Sequence, residues 1–363
     1  MPEVSIITVC YNHEEFIRKC IESVLAQSFR DWEQIVIDDG STDKTADLVE
    51  QYSLNEKRIR LVRHEHLGVH RLSESYNTAL AASRGKLIAV LEGDDYWPPA
   101  KLENQVSAFI NEQVVLAWGK AIEVDKTGSE LNVIPTDPSR YLRMQRGEAA
   151  RELLLGCYIP AVTVICRRIA LESVGGFKQP HGLHCTDYPT WLALLAVGDF
   201  SFLDTVLGYW AKHDGNVSSQ FRNSTAWCNC AIDAFNAMPG KLKRDTGLSE
   251  TRLIRNLQRL VDINITTDPK GDFTRPGFLD LARQQLERST LQGNWPPVPY
   301  DLRRRDIQEQ LARLAILRGR RLLREHRWNA ARRNLRVAFE HASARDRVKT
   351  LVWIGFSLLR LPA

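Results

Sequence analysis

Short apolar segments alternate with helical segments over the first 93 residues, and this alternation leaves the chain few possible folds. Four segments have the length and β-branched content of buried strands, and they read VSIITVCY, EQIVI, IRLVRH and KLIAVLEG. Helical patterns fill the intervals: one covers Phe16 to Leu25, a second begins near Lys44, and a third ends at Gly85. The order predicts an α/β fold with a mostly parallel sheet covered by helices.

Acidic pairs follow two of the predicted strands. Asp38 and Asp39 come directly after EQIVI, and Asp94 and Asp95 follow KLIAVL. Ligands of such sheets bind beyond the carboxyl ends of the strands, so both pairs are expected on the ligand-binding edge. Adjacent carboxylates repel each other, and a hard cation such as Mg²⁺ or Mn²⁺ would relieve that repulsion. A solvated acidic turn is the simpler alternative.

Longer motifs carry a family resemblance. The stretch VSIITVCYNHEEFIRKCIESVLAQSFRDWEQIVIDDGSTDKT, followed by NTALAASRGKLIAVLEGDDYWPPAKLE, resembles the nucleotide-sugar domain of the family 2 glycosyltransferases, which are inverting enzymes with a GT-A fold. The resemblance covers about residues 3–220 in matching order. It implies a GT-A nucleotide-sugar-binding domain at residues 1–222, and we expect a helical, basic C-terminal domain at residues 223–363.

The resemblance assigns the second acidic pair to a metal site. It implies that Asp94 and Asp95 belong to the family's Asp-x-Asp element, which binds a divalent cation that holds the diphosphate of the sugar donor. Glu92 stands where the family usually has its first aspartate, so we expect Asp94 and Asp95 to dominate the site. The expected cofactor is Mg²⁺ or Mn²⁺.

The first acidic pair is expected to bind the nucleotide. The resemblance implies that Asp39 accepts hydrogen bonds from the nucleobase, with Tyr11 and Glu14 nearby. A carboxylate suits the ring N–H of uracil or thymine. An N-cap for the next helix is the structural alternative for this acidic turn, and packing alone is the alternative for a tyrosine at a strand end.

The phosphate-binding loop departs from the family pattern. Family members often carry Arg-Asn eight residues before the glycine that precedes the third strand, and here Asn77 and Gly85 keep that spacing while Tyr76 replaces the arginine. Arg71 is the nearest cation that could contact the phosphates instead, and an ordinary solvated arginine is the alternative.

A catalytic base is expected after the VGGF turn. Inverting transfer needs a carboxylate that takes the proton of the acceptor hydroxyl, and the family places it in a Glu-Asp pair that opens a helix. Asp187 keeps the position of the base, whereas Thr186 replaces the glutamate. A helix N-terminus also favours an acid for structural reasons and is expected to lower its pKa. The segment HGLHCTD offers His181, His184 and Cys185 as metal ligands too, but its spacing matches no usual zinc pattern.

The last motif, LGYWAKHDGNVSS, resembles the family's closing Tyr-Arg-x-His-x-x-Asn-x-Ser element. His213 is then expected to face the diphosphate or the metal, supported by the matching Asn216 and Ser218. Trp210 replaces the arginine. An isolated histidine at a strand end is otherwise only a surface residue.

The C-terminal part differs in charge from the rest. Residues 301–363 contain 16 Lys and Arg against 6 Asp and Glu, a net charge of +10 in a chain of net +5. Arginine-rich helices that end in LVWIGFSLLRL suit an anionic membrane surface, and packing on the catalytic domain is an equal alternative. No base-stacking or groove-reading motif accompanies this charge, so we expect no nucleic-acid partner.

These features together predict an inverting glycosyltransferase. It would move a sugar from a UDP, dTDP or GDP donor to a glycan or lipid-linked glycan acceptor in cell-surface polysaccharide biosynthesis. We expect a cytoplasmic protein, with peripheral attachment to the membrane as an option, because the sequence shows no signal-peptide pattern and no apolar run of about 18 residues. A sugar-nucleotide nucleotidyltransferase and a non-catalytic scaffold of the same fold are the rival hypotheses.

Overall fold

The structure is a computed structural model that describes residues 1–257 except 181, 217–223 and 255, together with Leu323, Trp328, Leu335 and Ile354. The chain divides into two compact units, Met1–Leu253 and Ile254–Ala363. The first unit contains every element named below. The expected division at residue 222 stays a prediction, and the helices expected beyond Leu302 lie almost wholly outside the described residues.

Eight strands and nine α-helices make up the first unit, counted over the residues that the structure describes. The strands are β1 (Val4–Cys10), β2 (Trp32–Asp38), β3 (Ile59–Arg63), β4 (Leu87–Val90), β5 (Val114–Val124), β6 (Glu130–Ile134), β7 (Ile165–Arg167) and β8 (Asp199–Ala211). The helices are α1 (Ile17–Leu25), α2 (Thr45–Asn55), α3 (Leu72–Ala82), α4 (Lys101–Val106), α5 (Arg146–Leu155), α6 (Arg168–Ser173), α7 (Asp187–Leu195), α8 (Ser224–Ala237) and α9 (Gly240–Asp245).

All eight strands belong to one sheet. Its order is β3-β2-β1-β4-β7-β5-β6, and β8 pairs with β5 off this path. The pairs β1–β2, β2–β3, β1–β4 and β5–β8 are parallel, whereas β7 is antiparallel to β4 and β5, and β6 is antiparallel to β5. This arrangement confirms the predicted mostly parallel α/β sheet, and it places the carboxyl ends of β1, β2, β4, β5 and β8 at one edge.

The apolar residues that mark the predicted strands and the first helix are buried in the structure. Every residue of β1, β2 and β4 is buried, as expected for strands covered on both faces. Helix α1 packs Ile17, Cys20, Ile21 and Val24 into the core below the sheet, and these residues recur at the helical period that the sequence showed.

The third helix ends earlier than its sequence suggests. Helix α3 stops at Ala82, and Ser83 is extended with its hydroxyl donating to Leu80 O at 2.7 Å. Gly85 is therefore not a helix cap. It lies against β1, where its N–H donates to Ser5 Oγ at 2.7 Å and a Cβ would come within 2.5 Å of Ser5 N. Close packing of the chain on β1 explains the glycine.

Two further expectations concern the whole chain. Within the described ranges, no helix is both long and apolar enough to cross a membrane. The seven cysteines, an odd number with no C-x-x-C pair, fit reduced thiols, and all seven are free in the structure.

Candidate active site

Three carboxylates converge just beyond the carboxyl end of β4. Oxygens of Glu92, Asp94 and Asp95 lie within 4.8 Å of one another, and this is the one group of three or more potential metal ligands among the described residues. Asp95 is 2% exposed, and its Oδ1 accepts the N–H of Ala211 at the end of β8, at 2.9 Å. The second acidic pair of the sequence thus lies between β4 and β8.

The closing motif meets this acidic triad (Glu92, Asp94 and Asp95). His213 Nε2 lies 3.0 Å from Asp94 Oδ2, and Asn216 Nδ2 donates to the same oxygen at 3.1 Å. Asn216 Oδ1 in turn accepts the backbone N–H of His213 at 2.7 Å. The structure therefore brings together Asp94 and His213, which are 119 residues apart in sequence, while Ser218 lies outside the described residues.

The triad is electrostatically strained. Burial, with the charge of Asp94 next, raises the pKa of Glu92 to about 7. Burial and the charges of Asp94 and Glu92 raise the pKa of Asp95 well above its usual value. Burial also opposes ionisation of Asp94, but the hydrogen bond to His213 and the charges of His13 and His213 outweigh it and lower the pKa of Asp94.

This donor set fits a hard divalent cation. The candidate ligand atoms are all carboxylate oxygens, which suit Mg²⁺ and Mn²⁺ better than softer metals. Burial and repulsion raise the pKa values of Glu92 and Asp95, and a cation among the three acids would offset both effects. The residues that would hold it are Asp94 and Asp95, with Glu92 beside them.

Two departures from the family pattern meet at the triad. The hydroxyl of Tyr76, which stands in place of the family's arginine, donates to Glu92 Oε1 at 2.8 Å. Glu92 itself stands in place of the family's aspartate. Tyr76 is fully buried against Phe177, with ring centroids 5.0 Å apart. Glu92, which is one methylene longer than aspartate, therefore accepts a hydrogen bond from the neutral hydroxyl of Tyr76. The sequence alone does not show that these two replacements contact each other.

We expect Tyr76→Phe to make metal binding more sensitive to acid. The phenol hydrogen bond lowers the pKa of Glu92 against burial, so its loss raises that pKa further above 7. Protons then compete with the metal at higher pH. Mn²⁺ titrations at pH 6, 7 and 8 should show affinity falling earlier on acidification in Tyr76→Phe. The matched control is Tyr52→Phe, which removes an exposed tyrosine–glutamate bond to Glu22 (2.7 Å) and should leave the profile unchanged.

Asp39 lies at the end of β2 in a network of hydrogen bonds. Its Oδ1 accepts the N–H of Leu67 at 2.9 Å, and its Oδ2 accepts the N–H of Gly68 at 3.0 Å. His66 Nδ1 lies 3.1 Å from Oδ2, and the ring of His66 stacks on Tyr11 with centroids 4.0 Å apart. Asp39 and Tyr11 are thus brought together as expected, with His66 as an additional aromatic neighbour that the motif search missed.

Glu14 belongs to the same corner of the sheet. Its Oε2 accepts the N–H of Lys44 at 3.0 Å, and its own N–H donates to Asp43 Oδ2 at 3.0 Å. Asn12 has a positive φ of 54° and accepts the N–H of Thr42 at 2.8 Å. These bonds fasten the loop after β1 to the turn after β2. Glu14 therefore has a clear local role in shaping the site.

Arg71 is paired with Glu74 in the structure. Its guanidinium forms two bonds of 2.6 Å to Glu74, one from Nε and one from Nη2, in the first turn of α3. More than half of its side chain is exposed. The expected phosphate contact of Arg71 would require it to leave this bidentate pair, and it stays a prediction.

Asp187 opens α7 and is partly buried at the site. Its Oδ1 is inaccessible to solvent and has no hydrogen-bond partner in the structure. The expectation that the helix N-terminus lowers its pKa is wrong in direction, because burial raises the pKa of Asp187 despite stabilising contacts from Cys185 and the backbone of Tyr188. Its charge also raises the pKa values of Glu92 and Tyr76, which places the carboxylate near the triad.

A zinc site in the loop before α7 finds no support in the described residues. His184 contacts His70 edge-on with centroids 4.8 Å apart, and the loop contributes to no group of three metal-binding side chains there. His181 lies outside the described residues.

One residue near the triad escaped the sequence analysis. His13 follows β1, and its Nδ1 is buried without a hydrogen-bond partner in the structure. It lies against Gly93, where a Cβ would come within 2.7 Å of that nitrogen. Phe16 contacts its ring and stacks on His213 with centroids 4.6 Å apart. The motif YNHEE contains this histidine, but only the fold shows that it faces Gly93 and lies beside Asp94.

The sheet, the triad at its edge and the partly buried carboxylate at the start of α7 are the features of a GT-A glycosyltransferase domain. The profile of glycosyl transferase family 2 matches residues 5–172. TuaG of Bacillus subtilis, assigned to teichuronic acid biosynthesis, is 31% identical over 198 residues, which are 54% of this chain and 73% of TuaG. The chain belongs to glycosyltransferase family 2.

Two further proteins illustrate the similarity. WfgD of Escherichia coli, a UDP-Glc:α-D-GlcNAc-diphosphoundecaprenol β-1,3-glucosyltransferase, is 31% identical over 201 residues, 55% of this chain and 73% of WfgD. The solved structure of S. aureus TarS 1–349 in complex with UDP-GlcNAc matches with a TM-score of 0.57 at 18% identity, covering 98% of this chain and 90% of that chain. The structural match shows a shared fold.

Proposed function

We propose that this chain transfers a sugar, with inversion, from a UDP-sugar to a lipid-linked glycan in cell-surface polysaccharide biosynthesis. The observation that carries the proposal is the carboxylate triad within 4.8 Å at the end of β4, with His213 bonded to Asp94. The names of WfgD and of WfaP, which is 27% identical over 225 residues, support a UDP donor and a diphosphoundecaprenol-linked acceptor.

The donor would lie along the edge formed by β1, β2 and β4. Its base would stack near Tyr11 and contact Asp39, and its diphosphate would lie near Asp94, Asp95 and His213. A divalent cation held by Asp94 and Asp95 would neutralise charge on the diphosphate. Asn216 fixes the turn that carries His213, because it accepts the backbone N–H of that histidine.

Asp187 would supply the base for a single displacement. The acceptor hydroxyl attacks the anomeric carbon, the bond from that carbon to the diphosphate oxygen breaks, and the hydroxyl proton passes to Asp187. Asp187 is only partly buried, so its carboxylate can meet the acceptor hydroxyl, and a pKa raised by burial makes it a stronger base than an exposed aspartate.

A donor screen tests the proposal. With Mn²⁺ present, the protein should bind UDP and should slowly hydrolyse at least one UDP-sugar to UDP and free sugar. UDP release should accelerate when a lipid-diphosphate-linked acceptor is added. dTDP- and GDP-sugars serve as parallel donors. Turnover of only a dTDP- or GDP-sugar would contradict the UDP assignment. No binding of any nucleotide would favour the non-catalytic scaffold, for which the replacements Glu92, Thr186 and Trp210 are the sequence argument.

A further inference from the structure

Two amide side chains fasten the loop before Asp187 to the beginning of α3. Asn77 Oδ1 accepts the N–H of Phe177 at 2.9 Å, and its Nδ2 donates to Phe177 O at 3.0 Å. Gly176 has a φ of +78°, and a Cβ there would come within 2.3 Å of Asn77 Oδ1. We call residues 176–180 and 182–186 the base-bearing loop because Asp187 follows them directly, and this loop is held at its first residues by a close fit.

Gln179 makes the second connection, in which both the oxygen and the nitrogen of its side-chain amide form hydrogen bonds. Its Oε1 accepts the N–H of Ser73 at 2.9 Å, and its Nε2 donates to Val69 O at 2.6 Å and to Leu183 O at 3.0 Å. The first two partners lie about 106 and 110 residues earlier in the chain, and the third lies within the base-bearing loop itself. One side chain thus joins backbone groups in the first turn of α3, in the segment just before α3 and in the base-bearing loop.

The turn that Gln179 contacts also reaches the nucleotide side of the site. Leu67 and Gly68 donate their N–H groups to Asp39, and Val69 is the next residue along the chain. Gly68 has a φ of +71°, a conformation that glycine adopts without strain. A continuous set of bonds therefore runs from Asp39 through residues 67–69 to Gln179 and on to Leu183, four residues before Asp187.

We infer that Gln179 is a positioning residue that couples nucleotide binding beside Asp39 to the placement of the catalytic base Asp187. The inference rests on the proposed function. A nucleotide that contacts Asp39 and the adjacent turn would restrict residues 67–69, and Gln179 would transmit that restriction to the base-bearing loop. Small displacements of a catalytic group lower rates strongly, so this coupling matters for transfer more than for binding.

Hydrogen exchange of the full chain, with UDP and Mn²⁺ as the probe, tests the coupling. In the wild type, UDP should slow exchange of the amides in residues 177–186. In Gln179→Ala the Kd for UDP should stay within about threefold of wild type, while this protection is lost and transfer at saturating donor falls about tenfold or more. Gln179→Glu keeps the acceptor for Ser73 N and loses both donors, so it should behave like Gln179→Ala.

Gln27 provides a matched control. Its amide also makes three bonds, accepting the N–H of Leu102 at 3.0 Å and donating to Ser23 O at 3.0 Å and Pro98 O at 2.8 Å. Gln27→Ala should lower stability but retain the UDP-induced protection of residues 177–186.

The outcomes separate the two proposals. Wild-type protein that binds UDP without protecting residues 177–186 would overturn the coupling and leave the proposed function standing. Protection and transfer rates that survive in Gln179→Ala would show that Gln179 only stabilises the fold. A wild type that binds no nucleotide would overturn the proposed function, and the coupling with it.

Discussion

Asp187→Asn should lower the rate of sugar transfer by about 10² or more, with donor affinity close to that of the wild type. Asparagine has nearly the same shape and keeps the start of α7, but its amide cannot accept the proton of the acceptor hydroxyl. Transfer rates at saturating donor and acceptor, together with calorimetric titration of UDP in Mn²⁺, measure the two effects separately.

The pH dependence of the wild-type transfer rate should also show that Asp187 acts as the base. Burial raises the pKa of Asp187, so protonation inactivates the base at a higher pH than for an exposed aspartate. Transfer should therefore fall on acidification through that raised pKa, and this limb should disappear from the residual activity of Asp187→Asn.

Asp47→Asn is the control for the helix N-terminus. Asp47 is an exposed acid in the first turn of α2, so its replacement removes the same interaction with the helix dipole without touching the site. Its transfer rate should match wild type. Loss of donor binding in Asp187→Asn, combined with normal turnover at saturation, would show that Asp187 binds donor and is not the base.

The parts of the fold that follow from local pattern could be predicted from the sequence. Strands β1, β2 and β4 are buried on both faces, so most of their residues are apolar and the pattern is visible in the chain. The strand ends then fix the edge of the sheet where Asp39, Asp94 and Asp95 lie. Their motif spacing also indicated His213, 119 residues from Asp94.

Side-chain partners and burial could not be predicted in the same way. Tyr76 and Glu92 each departed from the family pattern, and only the folded chain shows that they bond to each other. The sequence places Asp187 at a helix N-terminus, which favours a low pKa, but the depth of its burial reverses the direction. Gln179 lies in no motif, because its three partners are backbone groups whose identity the sequence does not specify.

Asp95→Asn should weaken Mn²⁺-dependent binding of UDP by about tenfold or more, about 1.4 kcal/mol in binding free energy. The variant removes one carboxylate ligand from the triad and keeps an oxygen that can accept the N–H of Ala211. Calorimetric titration of UDP with Mn²⁺, and with a chelator in its place, measures the effect. The difference between wild type and variant should vanish when the metal is removed.

In the metal-free protein, Asp95→Asn should have a favourable effect on thermal stability, in contrast to its unfavourable effect on UDP binding. Burial and neighbouring acids raise the folded-state pKa of Asp95, so its contribution to the unfolding free energy is greatest below the unfolded-state pKa and is lost as pH rises through the raised value. At pH values above the unfolded-state pKa, holding this carboxyl in the fold is therefore a cost to stability. Asp95→Asn should raise the Tm of the metal-free protein and reduce the further increase that Mn²⁺ gives.

Glu33→Gln separates this effect from the general effect of neutralising a buried acid. Glu33 is 2% exposed, and burial opposes its ionisation, but hydrogen bonds from Ser5 and Arg84 outweigh burial and lower its pKa. Its carboxylate thus stabilises the fold fully above the unfolded-state pKa, and this contribution is lost as pH falls through the lowered folded-state pKa. At neutral pH, Glu33→Gln should lower the Tm equally with Mn²⁺ and with chelator. A Mn²⁺-induced rise in Tm that is as large in Asp95→Asn as in the wild type would show that the metal binds elsewhere, because a carboxylate in the coordination sphere cannot be neutralised without weakening the bond to the ion.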